Sequence, residues 1–239
     1  MTSHVVARLK LGRLFTCVAA QFLLANMGHA GGALPPGCGA LKHNYGPFDY
    51  RTHQSSLPIV EQYHFTPDIE GLTSAAGNPG GDLGYTLQAF PNHPRALMTL
   101  IRYGELKHSD RPGRLPFTIE CFMLRAEVFA PDDPMVKLIS GIYYLKHGKA
   151  GDAIERLEQA DALGSANPNL YYNLGLAYLD VGQNEKALVA AHKAYAAGFP
   201  LPGLRNRLKR AGVWRDIQPQ AAEAAPSKVE SAPPASAAQ

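Results

Sequence analysis

Histidine and acidic residues concentrate in one stretch of the chain. His43, His53, His64 and His93 fall beside Asp49, Glu61, Asp68, Glu70 and Asp82, residue types that ligate metal or move protons. Their spacing contains no HExxH and no closely paired histidines. Histidines scattered among Tyr and Pro more often brace irregular backbone through hydrogen bonds. A site assembled from His64, Asp82 and His93 is the chemical alternative, as an enzyme or a metal-binding protein. Gly77-x-x-Gly80-Gly81-x-x-Gly84 resembles a phosphate loop only superficially: no Val/Ile strand precedes it, no Walker lysine is present, and Asp82 would place a negative charge where phosphate belongs. It reads as a turn leading to an N-cap at Asp82, which opens a short helix up to Phe90. There is no GxSxG, and neither Cys38 nor Cys121 lies in a nucleophile motif. No cofactor, no metal and no catalysis are expected.

The segment that carries these histidines, residues 31–90, is rich in Pro, Gly, Tyr and His, and its elements are short. Tyr45-Gly46-Pro47-Phe48-Asp49-Tyr50 is a turn with three aromatics, and Thr66-Pro67 is an N-cap followed by proline at the first helical position. Asn78-Pro79-Gly80-Gly81 is another turn. Periodic apolar content is too low for the segment to fold alone. It is expected to be irregular and to lie against the helices that follow.

From Asn92 onward the pattern turns helical, and a 34-residue unit is written twice. Pro134 and Pro168, Gly141 and Gly175, Tyr144 and Tyr178, Gly148 and Gly182, Ala153 and Ala187, and Ala160 and Ala194 share that interval. Each unit reads as helix A, ending at a glycine suited to a C-cap, then helix B, with Asp152 and Asn184 as candidate N-caps. Gly141 and Gly175 on A, with Ala153 and Ala187 on B, let the two backbones approach. This part of the chain resembles the tetratricopeptide repeat (TPR) proteins. The fold class expected is all-α, a helix-turn-helix solenoid. Residues 91–133 form an atypical first repeat, with six extra residues placed in the loop Ser109 to Pro116. Residues 134–167 and 168–201 form the second and third repeats, and 202–217 a capping helix. In the cap Leu204, Leu208 and Val213 cover the last apolar face while Arg205, Arg207, Lys209 and Arg210 face away. Residues 218–239 are too poor in large apolar groups to repay ordering and are expected to be disordered.

Residues 1–30 have the three zones of a secretory signal: Arg8, Lys10 and Arg13, then an apolar run from Leu14 to Ala25, then Gly28-His29-Ala30. Cleavage is expected after Ala30, leaving no stable membrane span. The remaining chain has 20 basic and 20 acidic residues, since the segment carries three of the 23 basic residues and no acid. That balance provides no bulk attraction to nucleic acid. Cys17 leaves with the signal, and in an oxidising compartment Cys38 and Cys121 are expected to pair, closing a loop worth about 4 kcal/mol in the chain-entropy model.

In a TPR array helix A lines the inner surface. Here that surface comprises Met135, Leu138, Ile142 and Leu145, then Asn169, Tyr172, Leu176 and Leu179, with Asn173 beside them. An apolar groove of this length needs cover: either the N-terminal segment or a partner's helix or extended peptide. The stretches YGPFDYR, HFTP, GGDLGYTLQAFPNHPRAL and PLPGLRNRLKRAGVWR are similar to a proteobacterial family of exported TPR proteins. That resemblance implies architecture and location. It carries no agreed activity, and this chain departs from it at Gly84 and Pro94, next to the histidines. The function expected is non-catalytic: an exported, periplasmic adaptor or scaffold for a protein or peptide partner in the cell envelope, bound through Leu138, Ile142, Leu145, Tyr172, Asn173, Leu176 and Leu179.

Overall fold

The computed structural model describes residues 33–216, and among them every regular element is a helix. The expected signal at 1–30 and the tail at 218–239 lie outside the described residues. Three short helices come first, α1 (Leu57–His64), α2 (Pro67–Gly71) and α3 (Gly80–Ala89). Three pairs follow: α4 (Pro94–Lys107) with α5 (Ile119–Phe129), α6 (Pro134–Lys146) with α7 (Ala150–Ala162), and α8 (Pro168–Asp180) with α9 (Asn184–Ala196). A final helix, α10 (Gly203–Arg210), packs on α8 and α9. The helices stack pair upon pair as a repeat solenoid.

Each first helix of a pair starts the same way. The side chains of His93, Asp133 and Asn167 accept hydrogen bonds from the backbone N–H of Ala96 (3.2 Å), Met135 (2.9 Å) and Asn169 (3.0 Å), and proline follows at the first helical position. Proline there loses no bond, because its missing N–H would have been an orphan. Among the second helices, α5 is capped by the Thr118 hydroxyl, which accepts from the Cys121 N–H at 3.2 Å, but α7 and α9 start differently, and the expectation of caps at Asp152 and Asn184 is corrected. Lys149 and Gln183 hold the cap positions and make no side-chain bond to the helix start, while Asp152 lies inside the first turn of α7. The turn before each of these two helices leaves no room for a separate cap. Gly148 and Gly182, at φ of +71° and +73°, end one helix. The N–H of Lys149 and of Gln183 then reach back to Tyr144 O (3.0 Å) and Tyr178 O (2.8 Å), so one residue closes a helix and opens the next.

The close crossing within pairs is as expected. A Cβ added at Gly141 would lie 3.3 Å from the Ala153 carbonyl and 2.5 Å from Leu157 Cγ, and one at Gly175 would lie 3.3 Å from the Ala187 carbonyl. At the far end Pro202 continues the interval of Pro134 and Pro168, and Leu204 occupies the buried place of Val136 and Leu170. The cap α10 is therefore a shortened first helix of a fourth unit. Of its basic residues, Lys209 and Arg210 are exposed as expected, whereas Arg207 pairs with Asp180 at 2.5 Å and the Arg205 guanidinium lies over the rings of Tyr195 (4.5 Å) and Trp214 (4.9 Å).

The N-terminal segment is less irregular than expected. Helices α1 and α3 pack together, and α3 and α2 pack on α4, adding a helical layer to the start of the array. The turn Phe90-Pro91-Asn92-His93-Pro94 matches Ala130-Pro131-Asp132-Asp133-Pro134 in form, so α3 leads into α4 as α5 leads into α6. Asp82 does not cap α3; it lies in the first turn of a helix that begins at Gly80. The short helix expected up to Phe90 is present, and it carries three glycines. Two of them are needed: a Cβ on Gly80 would meet Pro112 O and Arg114 N at 2.9 Å, and one on Gly84 would meet Pro116 Cδ at 2.7 Å.

A disulfide joins Cys38 to Cys121 on α5, with Cα atoms 5.0 Å apart. Beside it Arg125, fully buried, donates from Nη1 to Cys38 O (2.9 Å) and Ala40 O (2.7 Å), and its guanidinium lies 4.8 Å from the centre of the Phe117 ring. The chain before α1 is thus held to α5 by a covalent bond and by two hydrogen bonds to a buried cation.

Candidate partner-binding surface

Helix α8 has two working sides. Leu170, Leu174, Ala177 and Tyr178 enter the core, whereas Tyr172, Leu176 and Leu179 are only partly covered. This second side continues the inner surface expected for a repeat array, at the spacing of one helical face.

The structure corrects the extent of that surface. Leu138 and Ile142 are 1% and 6% exposed, part of the core rather than of an open groove. Helix α6 lies between α4 and α8, and its neighbours close over these two side chains. Of the second repeat, Leu145 remains half-buried and Met135 is 37% exposed. Tyr172 carries a structural duty: its ring stacks on Phe199 at 4.2 Å, and the start of α10 lies on its hydroxyl, 2.5 Å from where a Cβ of Gly203 would be. Burial pushes its phenol pKa up. Asn173 donates from Nδ2 to Asn169 O and Oδ1, both at 2.8 Å, so its amide hydrogens are used within the helix. Met135, exposed, and Leu145, Leu176 and Leu179, each half-buried against the core, are therefore the apolar residues of the expected surface that keep accessible area without a second duty.

The N-terminal segment packs on α4 and α5, and Arg51 reaches the start of α6 at Asp132 (3.0 Å) and Asp133 (3.7 Å). Its helices pack on one another and on α4.

The histidine group divides into two. His64 Nδ1 lies 2.9 Å from Asp82 Oδ1, and the imidazole stacks on Tyr85 at 3.9 Å. They border a pocket of about 200 Å³ with Tyr45, Ile59 and Tyr63. His93 belongs to another set of contacts. It has no exposed surface, its Nδ1 accepts from the Ala96 N–H, and its Nε2 lies 3.2 Å from Glu61 Oε1. Burial draws its pKa down to about 4 against the opposing pull of Glu61. His93 is a helix cap bonded at both nitrogens, and the three residues do not converge. Among the described residues no group of three His, Cys, Asp or Glu side chains is arranged to hold a metal ion. No described helix is long and apolar enough to cross a membrane.

A second cavity, of about 290 Å³, opens between α7, α8 and α9, lined by Asp161, Tyr171, Leu174, Tyr178 and Ala190 among others. None of these was singled out as a site residue in the sequence, although Tyr144 and Tyr178 were paired by the repeat interval. The signal lies in the differences between the two copies rather than in their likeness.

Comparison with known proteins gives one positive finding. A family model described as TPR repeat matches residues 142–182, from the middle of α6 to the end of α8. No curated protein and no solved structure matches the chain. The chain is thus similar to TPR proteins over its best-formed repeat, and TPR repeats generally mediate protein–protein interactions.

Proposed function

We propose that the protein is a non-catalytic adaptor or scaffold that binds a protein partner in the cell envelope through the partly covered side of α8. The observation that carries this reading is the partial exposure of Leu176 and Leu179 on a repeat helix, beside α6 with half-buried Leu145 and exposed Met135. Apolar side chains held on a stiff, preorganised surface lose little entropy when a partner covers them. The partner chemistry that fits is an amphipathic helix or extended apolar segment. Asn169 and Asn173, the polar candidates on this side, bond to each other.

Export is part of the proposal. It is supported by Arg8, Lys10 and Arg13 ahead of the apolar run Leu14 to Ala25, and by a buried disulfide of the kind that persists in oxidising compartments. Fractionation with sequencing of the mature N-terminus tests it: a start at Gly31 in the exported fraction is expected, and retention with Met1 intact would overturn it.

The binding reading is tested with Leu176→Glu and Leu179→Glu. Each variant is expected to keep the helical circular dichroism of the parent and to lose the partner that co-purifies with the parent from envelope extracts. A folded variant that retains the same partner would remove α8 from the interface.

A further inference from the structure

The two complete repeats differ at one place that neither the TPR match nor the α8 surface explains. In the second repeat, Arg156 of α7 lies in the groove that α7 forms with α5 and α6. Its guanidinium is 5.5 Å from the centre of the Tyr144 ring, and its Nε is 3.3 Å from Glu127 Oε2. Lys137 Nζ approaches the same carboxylate oxygen at 3.3 Å. Glu127 thus faces two cations, Arg156 also pairs with Glu155 Oε2 at 2.7 Å, and Lys149 Nζ lies over the same Tyr144 ring at 5.5 Å.

Thirty-four residues later the acid and the ring recur as Asp161 and Tyr178, but both cations are gone. Ala190 stands at the position of Arg156, and Tyr171 at that of Lys137. Asp161 Oδ1 accepts a bond from the Tyr171 hydroxyl at 2.8 Å, and among the described residues it has no cation within salt-bridge reach. Asp161, Tyr178 and Ala190, the counterparts of Glu127, Tyr144 and Arg156, line the cavity of about 290 Å³, with Lys186, Lys193 and Glu185 also on its wall and Glu185 paired with Arg215. Lys186 and Lys193 lie over Tyr178 and Tyr171, each 5.1 Å from the ring centre, so these rings already attract cations. A guanidinium, flatter and less strongly hydrated than an ammonium, fits a site bounded by a ring face and a carboxylate better than lysine does.

We propose that the groove between α7 and α9 receives an arginine side chain from a protein partner, its guanidinium between the Tyr178 ring and the Asp161 carboxylate, as Arg156 lies between Tyr144 and Glu127. Tyr171, Leu174 and Tyr178 occupy a different side of α8 from Leu176 and Leu179, so this site stands or falls independently of the adaptor surface. A partner could use both sides, its apolar segment on one and its arginine on the other.

The probe is the blocked tripeptide acetyl-Ala-Arg-Ala-amide, titrated into the 15N-labelled protein, with the lysine and citrulline tripeptides as controls. The arginine peptide is expected to move the amide resonances of Asp161, Tyr178 and Ala190, with the citrulline peptide silent and the lysine peptide weaker. Ala190→Arg fills the groove from within and is expected to weaken binding at least about tenfold, as is Asp161→Asn. Leu176→Glu is expected to leave it unchanged. Should Ala190→Arg fail to fold, Asp161→Asn carries the test alone. Equal shifts from the citrulline or lysine peptide, shifts that map elsewhere, unchanged binding by the folded variants, or no shifts at all would each overturn the proposal.

Discussion

His93 and Glu61 face each other across 3.2 Å, with the imidazole wholly enclosed. Because His93 Nδ1 accepts the Ala96 N–H, its proton must reside on Nε2, where it is donated to the Glu61 carboxylate. The neutral ring is satisfied at both ends, and a second proton would face an N–H. This agrees with a pKa drawn down to about 4 by burial.

The pH dependence follows from that direction. The unfolded histidine binds a proton below about pH 6.5, while the folded one resists until about pH 4. Between these limits the unfolded state holds more protons, so stability falls as pH falls. The contribution is fully present above pH 6.5 and is lost by pH 4, a change on the order of 3 kcal/mol. Urea denaturation of the parent and of His93→Asn across this window is expected to show a steeper decline for the parent. Parallel curves would contradict the assignment.

The covalent link should dominate stability at the N-terminal end. Cys38 and Cys121 are 83 residues apart, and replacing both with serine is expected to cost about 4 kcal/mol. Alkylation of the unreduced, denatured protein, read by mass spectrometry, should leave both sulfurs unmodified. Arg125→Met keeps the bulk but strands the carbonyls of Cys38 and Ala40. About 2 kcal/mol of destabilisation is expected from chemical denaturation.

Two glycines on neighbouring helices should respond in opposite directions. Gly141→Ala forces a methyl against Leu157 and the Ala153 carbonyl, and is expected to cost about 1–3 kcal/mol. Gly151→Ala, in the first turn of α7 with nothing within 4 Å of its added Cβ, is expected to stabilise by roughly 0.5–1 kcal/mol. Thermal melts of the two variants distinguish packing from propensity.

The cap is a load on the last pair. Leu204 is fully buried against Gly175, and Leu204→Ala is expected to cost about 2–5 kcal/mol. Hydrogen exchange should then quicken first in α8 and α9, the helices α10 covers. Uniform quickening across the array would show that the cap is not a local element.

The repeat helices were legible because they obey one interval with small residues at fixed places, and Gly141, Gly175, Ala153 and Ala187 do pack as that interval requires. The pairing of Cys38 with Cys121 was legible from cysteine number and the expectation of an oxidising compartment. Helix α3 was legible as a short helix ending at Phe90, but its start was placed at Asp82, two residues late, because Gly80 and Gly81 argue against a helix locally; only the crossing loop at Pro112 and Pro116 shows why Gly80 and Gly84 are there. The helix B caps were misread because the Gly148 and Gly182 turns already use the residues next to them. The binding surface was too broad, since a position on the inner side of helix A says nothing about how closely the preceding helix approaches. That approach buries Leu138 and Ile142 while leaving Leu176 and Leu179 accessible.

The most direct test of the adaptor reading is site-specific photocrosslinking in living cells from position 176, with position 138 as a buried control. One discrete adduct with a single envelope protein from position 176, and only intramolecular products from position 138, is the result the account predicts. Products confined to the protein's own chain from both positions would contradict it.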